Sequence, residues 1–99
     1  MLIRSQDKEI LINLNTLAGI EITKGPVKTT ITSYTTGCTY LLGEYSTRAK
    51  AMKVLDMIQE AYSEYQIMLN FSVSYLHEFK EKTDGFAIFQ MPEDSEVEV

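Results

Sequence analysis

Three basic residues, Arg48, Lys50 and Lys53, stand at the start of the longest segment with helical periodicity. The first turn of a helix normally gathers Asp and Glu, because the helix dipole places partial positive charge there. Free backbone N–H groups, the hydroxyls of Ser46 and Thr47, and these cations are together typical of a site for a phosphate or another anion. The sequence therefore indicates an anion site at this helix start.

Two tyrosines precede the helix and are expected to supply a stacking surface for a nucleotide base. The predicted ligand site consists of Tyr40, Tyr45, Ser46, Thr47, Arg48 and Lys50. In the alternative interpretation, the lysines are solvated and form the weak ion pairs that are common on helices. Their expected partners are then Glu44, Asp56 and Glu60.

The helix that carries this site is predicted to run from Thr47 to about Met68. Apolar residues recur in it at spacings of three and four, which places them on one stripe. The stripe comprises Ala51, Val54, Leu55, Ile58, Ala61, Tyr62 and Tyr65. Since only strand-like sequence precedes the helix, we expect the stripe to pack on a sheet.

Residues 1–44 alternate short apolar segments with turn signals, which predicts an antiparallel meander of about five strands, with a bend or bulge at Gly19. Residues 70–82 are interpreted as a second helical segment, and residues 86–91 as a C-terminal strand that is central in the sheet or buried at an interface. The predicted fold class is α+β, with one long amphipathic helix packed on the sheet. Residues 1–92 form the single domain and residues 93–99 a disordered acidic tail.

The charge is unevenly distributed along the 99 residues, whose net charge is −5. Four acids lie in the last seven residues, and the rest of the chain is nearly neutral. This distribution argues against binding to duplex nucleic acid, which requires a basic surface. Apolar runs long enough to span a membrane are absent, and a lone Cys38 favours a cytoplasmic location.

Residue types that could perform catalysis or hold a metal do not form a recognisable pattern. The single His77 and Cys38 lack spaced partners, so we expect no metal site. The five glycines are isolated, so a phosphate-binding loop is also missing. We therefore expect a protein without a cofactor and without enzymatic activity.

Several segments resemble a family of small proteins found in Gram-positive bacteria, their prophages and mobile elements. The segments are residues 1–10, 42–47, 51–59 and 89–94, with the sequences MLIRSQDKEI, LGEYST, AMKVLDMIQ and FQMPED. The resemblance brings no catalytic motif, so it assigns no site residues. It implies a phage-like setting, in which small non-enzymatic proteins often block host defence.

Two hypotheses follow from these observations. In the first, the chain is a counter-defence protein that sequesters a phosphorylated signalling nucleotide at the helix start. In the alternative, it is an acidic protein-binding inhibitor or adaptor, similar to an anti-CRISPR protein, that uses exposed Met and Tyr residues and the tail against a host protein. The second face of the sheet, with Leu11, Tyr34 and Tyr40, is expected to support a homo-oligomer.

Overall fold

The computed structural model describes residues 1–69 and 88–99, which form six strands in two small sheets and one long helix. In chain order these elements are β1 (Leu2–Arg4), β2 (Leu11–Asn13), β3 (Gly19–Lys24), β4 (Thr29–Thr35), β5 (Cys38–Tyr45), α1 (Arg48–Leu69) and β6 (Ile88–Gln90). Short 3-10 turns occupy Leu14–Thr16 and Asp94–Glu96. The predictions of an α+β class and of a long helix after the strands are confirmed.

The strands form two sheets, so the prediction of one continuous meander is wrong. Strands β3, β4 and β5 are an antiparallel meander, whereas β1 lies between β2 and β6 in a second sheet. The parallel pair β1–β6 joins the two ends of the chain, which no local turn signal could indicate. Within the described residues β6 lies at a sheet edge, not at the centre, which is one of its two predicted positions. The predicted helical segment 70–82 and residues 86–87 lie outside the described residues.

Helix α1 begins one residue later than predicted and buries the expected stripe. Ala51, Val54 and Ile58 are buried, and the helix packs against the β3–β4–β5 sheet. Ala61, Tyr62 and Tyr65 continue the stripe as partly buried neighbours of the core. Burial of this apolar face stabilises the helix more than intrinsic propensity does.

The hydrophobic core brings together residues from both sheets, the helix and the C-terminal segment. Its buried members are Met1, Ile3, Ile31, Leu42, Tyr45, Ala51, Val54, Ile58, Met91 and Val97. A single core therefore links the N-terminal strand, the meander, α1 and the segment after β6.

Gln6 joins the two sheets through its side-chain amide. Its Nε2 donates to the carbonyls of Glu44 (3.2 Å) and Pro92 (3.1 Å), while its Oε1 accepts from the Glu44 N–H (2.9 Å). The Gln6 backbone N–H also donates to the Leu42 carbonyl at 2.7 Å. The amide thus satisfies backbone groups of β5 that would otherwise lack partners between the sheets.

The acidic C-terminal segment differs from the predicted disordered tail. Residues 94–96 form a 3-10 turn, with reciprocal capping contacts between Glu93 and Glu96. Val97 is 4% exposed and belongs to the core. The charge of the segment suggested a solvated end, but its one inward-facing valine and the contacts of Asp94 hold it against the rest of the chain.

Candidate functional site

The start of α1 is capped by Thr47, one of the two hydroxyl residues, Ser46 and Thr47, that the sequence offers for this role. The Thr47 hydroxyl accepts a hydrogen bond from the Lys50 N–H at 3.2 Å, which satisfies one of the free donors of the first turn. The first turn contains no acidic residue of its own. The partial positive charge of this helix end therefore requires an anion from another part of the chain.

Asp94 supplies that anion. Its Oδ1 accepts from the Ser46 backbone N–H at 2.8 Å and from the Ser46 hydroxyl at 3.1 Å. Lys50 completes the contact, because its Nζ donates to the Asp94 carbonyl at 2.9 Å and lies 3.6 Å from Oδ2. The predicted anion site thus binds a carboxylate of the same chain.

The electrostatics of Asp94 agree with this arrangement. The Ser46 backbone N–H lowers the pKa of the carboxyl, and the Ser46 hydroxyl and the Lys50 charge lower it further, against a smaller opposing effect of desolvation. The carboxylate is consequently held in its charged form at the helix start.

The predicted stacking role of Tyr45 is wrong. Its side chain is fully buried, and its hydroxyl donates to the Pro92 carbonyl at 2.8 Å. Burial raises the pKa of the phenol, and the nearby acidic turn that contains Glu93 and Asp94 raises it further. Tyr45 therefore fixes the C-terminal segment to β5 and offers no surface to a ligand.

Arg48 and Tyr40, the other predicted site residues, lie far from each other. Arg48 is exposed on the first turn of α1, beside Ser46 and Thr47. Tyr40 lies five residues before Tyr45 on β5, which corresponds to about 17 Å along a strand. The structure therefore brings Ser46, Thr47 and Lys50 together at the helix start but does not place Tyr40 with them.

The alternative ion pairs of the lysines also differ from the prediction. Lys50 pairs with Asp94, while Glu44 pairs with Lys28 at 3.4 Å. Lys53 is exposed on α1 and makes no ion pair with Asp56 within the described part of the chain. Sequence reasoning missed Asp94, because this residue lies 48 positions from Ser46 and no local pattern joins the two.

A groove between β2 and β5, here called the β2–β5 groove, is a second surface feature with the character of a binding site. It is lined by Ile10, Leu11, Ile12, Asn13, Thr16, Leu17, Thr35 and Tyr40, and its volume is about 300 Å³. Leu11 is 54% exposed and Tyr40 39% exposed, so both side chains present apolar surface to the solvent. Asn13, Thr16 and Thr35 add hydrogen-bonding groups to its lining.

The predicted second face of the sheet with Leu11, Tyr34 and Tyr40 is not one surface. Leu11 belongs to the other sheet, as part of β2. Tyr40 pairs with Ser33 and Tyr34 pairs with Thr39, so the two tyrosines project from opposite faces. Of these three residues, only Leu11 and Tyr40 meet in the β2–β5 groove.

Comparisons with known proteins add no further identification. The chain matches no family model, and it matches neither a curated protein nor a solved structure. Within residues 1–69 and 88–99, His, Cys, Asp and Glu do not form a group that could hold a metal ion. In the same part of the chain, no helix has the length and apolar character needed to cross a membrane.

Proposed function

We propose that this chain is a non-enzymatic binding protein that acts by contact with another protein through the β2–β5 groove. The observation that carries the proposal is the contrast between the two candidate surfaces. The helix-start site is filled by Asp94, whereas Leu11 and Tyr40 remain exposed around an open groove.

The size and lining of the groove favour a protein partner. A volume of about 300 Å³ lies at the lower limit for small-molecule sites, but it suffices to receive one or two side chains of a partner. Exposed tyrosine and leucine side chains around a small depression are typical of the residues that anchor protein interfaces. Asn13 and Thr16 also line the groove, and the Asn13 amide N–H groups would be available to donate to a partner.

The surroundings of the helix start disfavour a phosphate there. A cleft of about 210 Å³ beside Ser46 is lined by Glu44 and Asp94 as well as by Lys28. A phosphate would have to displace the Asp94 carboxylate and then approach a second carboxylate. Like charges at short range cost free energy unless a cation neutralises them.

The resemblance to small proteins of prophages and mobile elements supports a bacterial host protein as the partner, met in the cytoplasm. The experiment is affinity capture with the chain from the bacterial host, in three parallel forms: wild type, Leu11→Asp and Met52→Asp. Leu11 and Met52 are both exposed, but Met52 lies on α1 away from the groove. We expect the captured protein to disappear with Leu11→Asp and to persist with Met52→Asp.

Loss of the captured protein with Met52→Asp and not with Leu11→Asp would assign binding to the helix surface and contradict binding through the groove. Equal capture by all three forms would also contradict binding through the groove. Far-ultraviolet circular dichroism of each variant verifies that the fold is retained.

A second candidate function, sequestration of a phosphorylated signalling nucleotide, is favoured by one observation: the helix start does bind an oxyanion through Ser46 and Lys50. Thermal unfolding against a panel of linear and cyclic nucleotides tests it, with wild type and Asp94→Asn compared. A ligand that binds only the folded state raises the melting temperature by mass action. Stabilisation of either form by one nucleotide would support sequestration, and no stabilisation of either would reject it.

A further inference from the structure

Strand β3 is the first strand of the β3–β4–β5 sheet and lies at its edge in the described part of the chain. It pairs with β4 over all six residues from Gly19 to Lys24, in an uninterrupted register. The order β3-β4-β5 leaves its other side at the edge of the sheet, and among residues 1–69 and 88–99 no strand pairs with that side.

The alternation of backbone hydrogen bonds between β3 and β4 shows which backbone groups face the open edge. The Gly25 N–H donates to the Lys28 carbonyl at 2.9 Å, so Gly25 points its backbone groups towards β4. Because these groups alternate along a strand, Glu21 and Thr23 also face β4. The N–H and C=O groups of the intervening residues Ile20, Ile22 and Lys24 therefore face the open edge.

Within residues 1–69 and 88–99, this is the longest strand edge that lacks protection. Strands β2 and β6 have three residues each, and the free side of β5 is occupied by Gln6. Strand β3 contains neither proline nor a bulge, and its Ile20 and Ile22 are only half-buried. Natural edge strands of this length are usually interrupted, covered or paired with another strand.

We propose that β3 pairs with β3 of a second copy of this chain, antiparallel, about a two-fold axis that passes at Ile22. Among the registers that keep each face of the sheet on its own side, this one pairs all three residues of the open edge, whereas an axis at Ile20 or Thr23 pairs fewer of them within the strand. An axis at Glu21 would set two carboxylates directly opposite each other, which destabilises a strand pair. An axis at Ile22 sets Ile22 opposite itself and Glu21 opposite Thr23 of the other copy.

The same register uses every backbone group of the open edge. Ile22 forms one hydrogen-bonded pair with its own symmetry equivalent, and Ile20 forms two with Lys24, one on each side of the axis. Each such antiparallel pair exchanges two N–H···O bonds. The contact is self-complementary and closes after two copies, which yields a six-stranded sheet and a dimer instead of a fibre.

The dimer does not depend on the proposed function, because the β2–β5 groove lies on β2 and on the opposite strand of the β3–β4–β5 sheet. A dimer would present two such grooves. A result that rejects the dimer would therefore not bear on binding through the groove, and a result that rejects binding through the groove would not bear on the dimer.

The experiment is sedimentation velocity over a concentration series with charge variants at Thr23. Thr23 is exposed, so its substitution spares the core. In the proposed register Thr23→Glu creates two carboxylate pairs with Glu21 across the axis, and Thr23→Lys creates two ion pairs there. From the usual strength of cross-strand pairs, we expect the dimer dissociation constant to rise about 2- to 30-fold with Thr23→Glu and to fall by a similar factor with Thr23→Lys.

The double variant Glu21→Lys/Thr23→Glu is the matched control, because it sets opposite charges across the axis again and should lower the dissociation constant to about the value of Thr23→Lys. A wild-type chain that remains monomeric at every accessible concentration would overturn the proposal. A dimer that responds equally to both substitutions at Thr23 would overturn it as well, because the contact would then lie elsewhere. As a second readout, hydrogen exchange of the Ile20, Ile22 and Lys24 amides should slow as the protein concentration rises.

Discussion

Val97 offers a test of whether the acidic C-terminal segment is part of the folded domain. Its side chain is 4% exposed and packs in the core, whereas Val99, two residues further on, is 76% exposed. Val97→Ala removes two buried methyl groups, worth about 1.6 kcal/mol of transfer free energy. The cavity left behind raises the expected loss in the free energy of unfolding to about 2–3 kcal/mol.

The assays are urea and thermal unfolding followed by circular dichroism, with Val99→Ala as the matched control. For a domain of this size, the melting temperature of Val97→Ala should fall by about 8–24 °C. Val99→Ala should change the free energy of unfolding by less than about 0.5 kcal/mol. Equal and small effects of the two substitutions would refute the packing of the segment, and with it the position of Asp94 at the start of α1.

Three further predictions concern the contacts around this segment. Tyr45→Phe should lower the free energy of unfolding, measured by urea unfolding, by about 1 kcal/mol, because the Pro92 carbonyl loses a donor. In ultraviolet titration, the wild-type Tyr45 phenol should ionise at higher pH than free tyrosine, since burial raises its pKa. Gln6→Glu should cost about 1–3 kcal/mol at pH 7 in the same unfolding assay, because a carboxylate cannot donate to the carbonyls of Glu44 and Pro92. The pKa of Asp94 is lower in the folded chain than in the unfolded chain, so its contribution to the free energy of unfolding is complete above the unfolded pKa and is lost as the pH falls through the folded pKa. Acid unfolding should show this loss for the wild type and not for Asp94→Asn.

The helix and its cap were predictable from the sequence because their signals are local. The spacing of Ala51, Val54 and Ile58 defines the buried stripe, and Thr47 precedes the first helical residue as a cap should. Such patterns depend on neighbours within a few positions. They can therefore be recognised in the sequence without knowledge of the tertiary structure.

The division into two sheets and the contact of Asp94 with Ser46 were not predictable in the same way. Both depend on residues far apart in the chain, and neither leaves a periodic pattern. The bend or bulge predicted at Gly19 is matched in part, since the chain bends at Ala18, the residue before β3. Gly19 itself is regular in β3 and lies against the ring of Tyr34, and the register shift falls between β4 and β5 at Ile31 and Thr32.

The sequence predicts a ligand anion at the start of α1, and the structure places the Asp94 carboxylate there, against Ser46 and Lys50. The sequence did not reveal that the charge comes from the same chain. The acidic residues near the C-terminus were interpreted as a solvated tail because composition alone says nothing about which of them turns inward.

The most direct test of the groove uses a photo-reactive amino acid placed at Tyr40, with the same group at Met52 as the control. The two positions are equally exposed, at 39% each, but only Tyr40 lines the β2–β5 groove. We predict a specific cross-link to a host protein from position 40 that is lost when Leu11→Asp is added, and no such cross-link from position 52. Cross-links of equal yield from both positions, or one from position 40 that is insensitive to Leu11→Asp, would contradict protein binding through the groove.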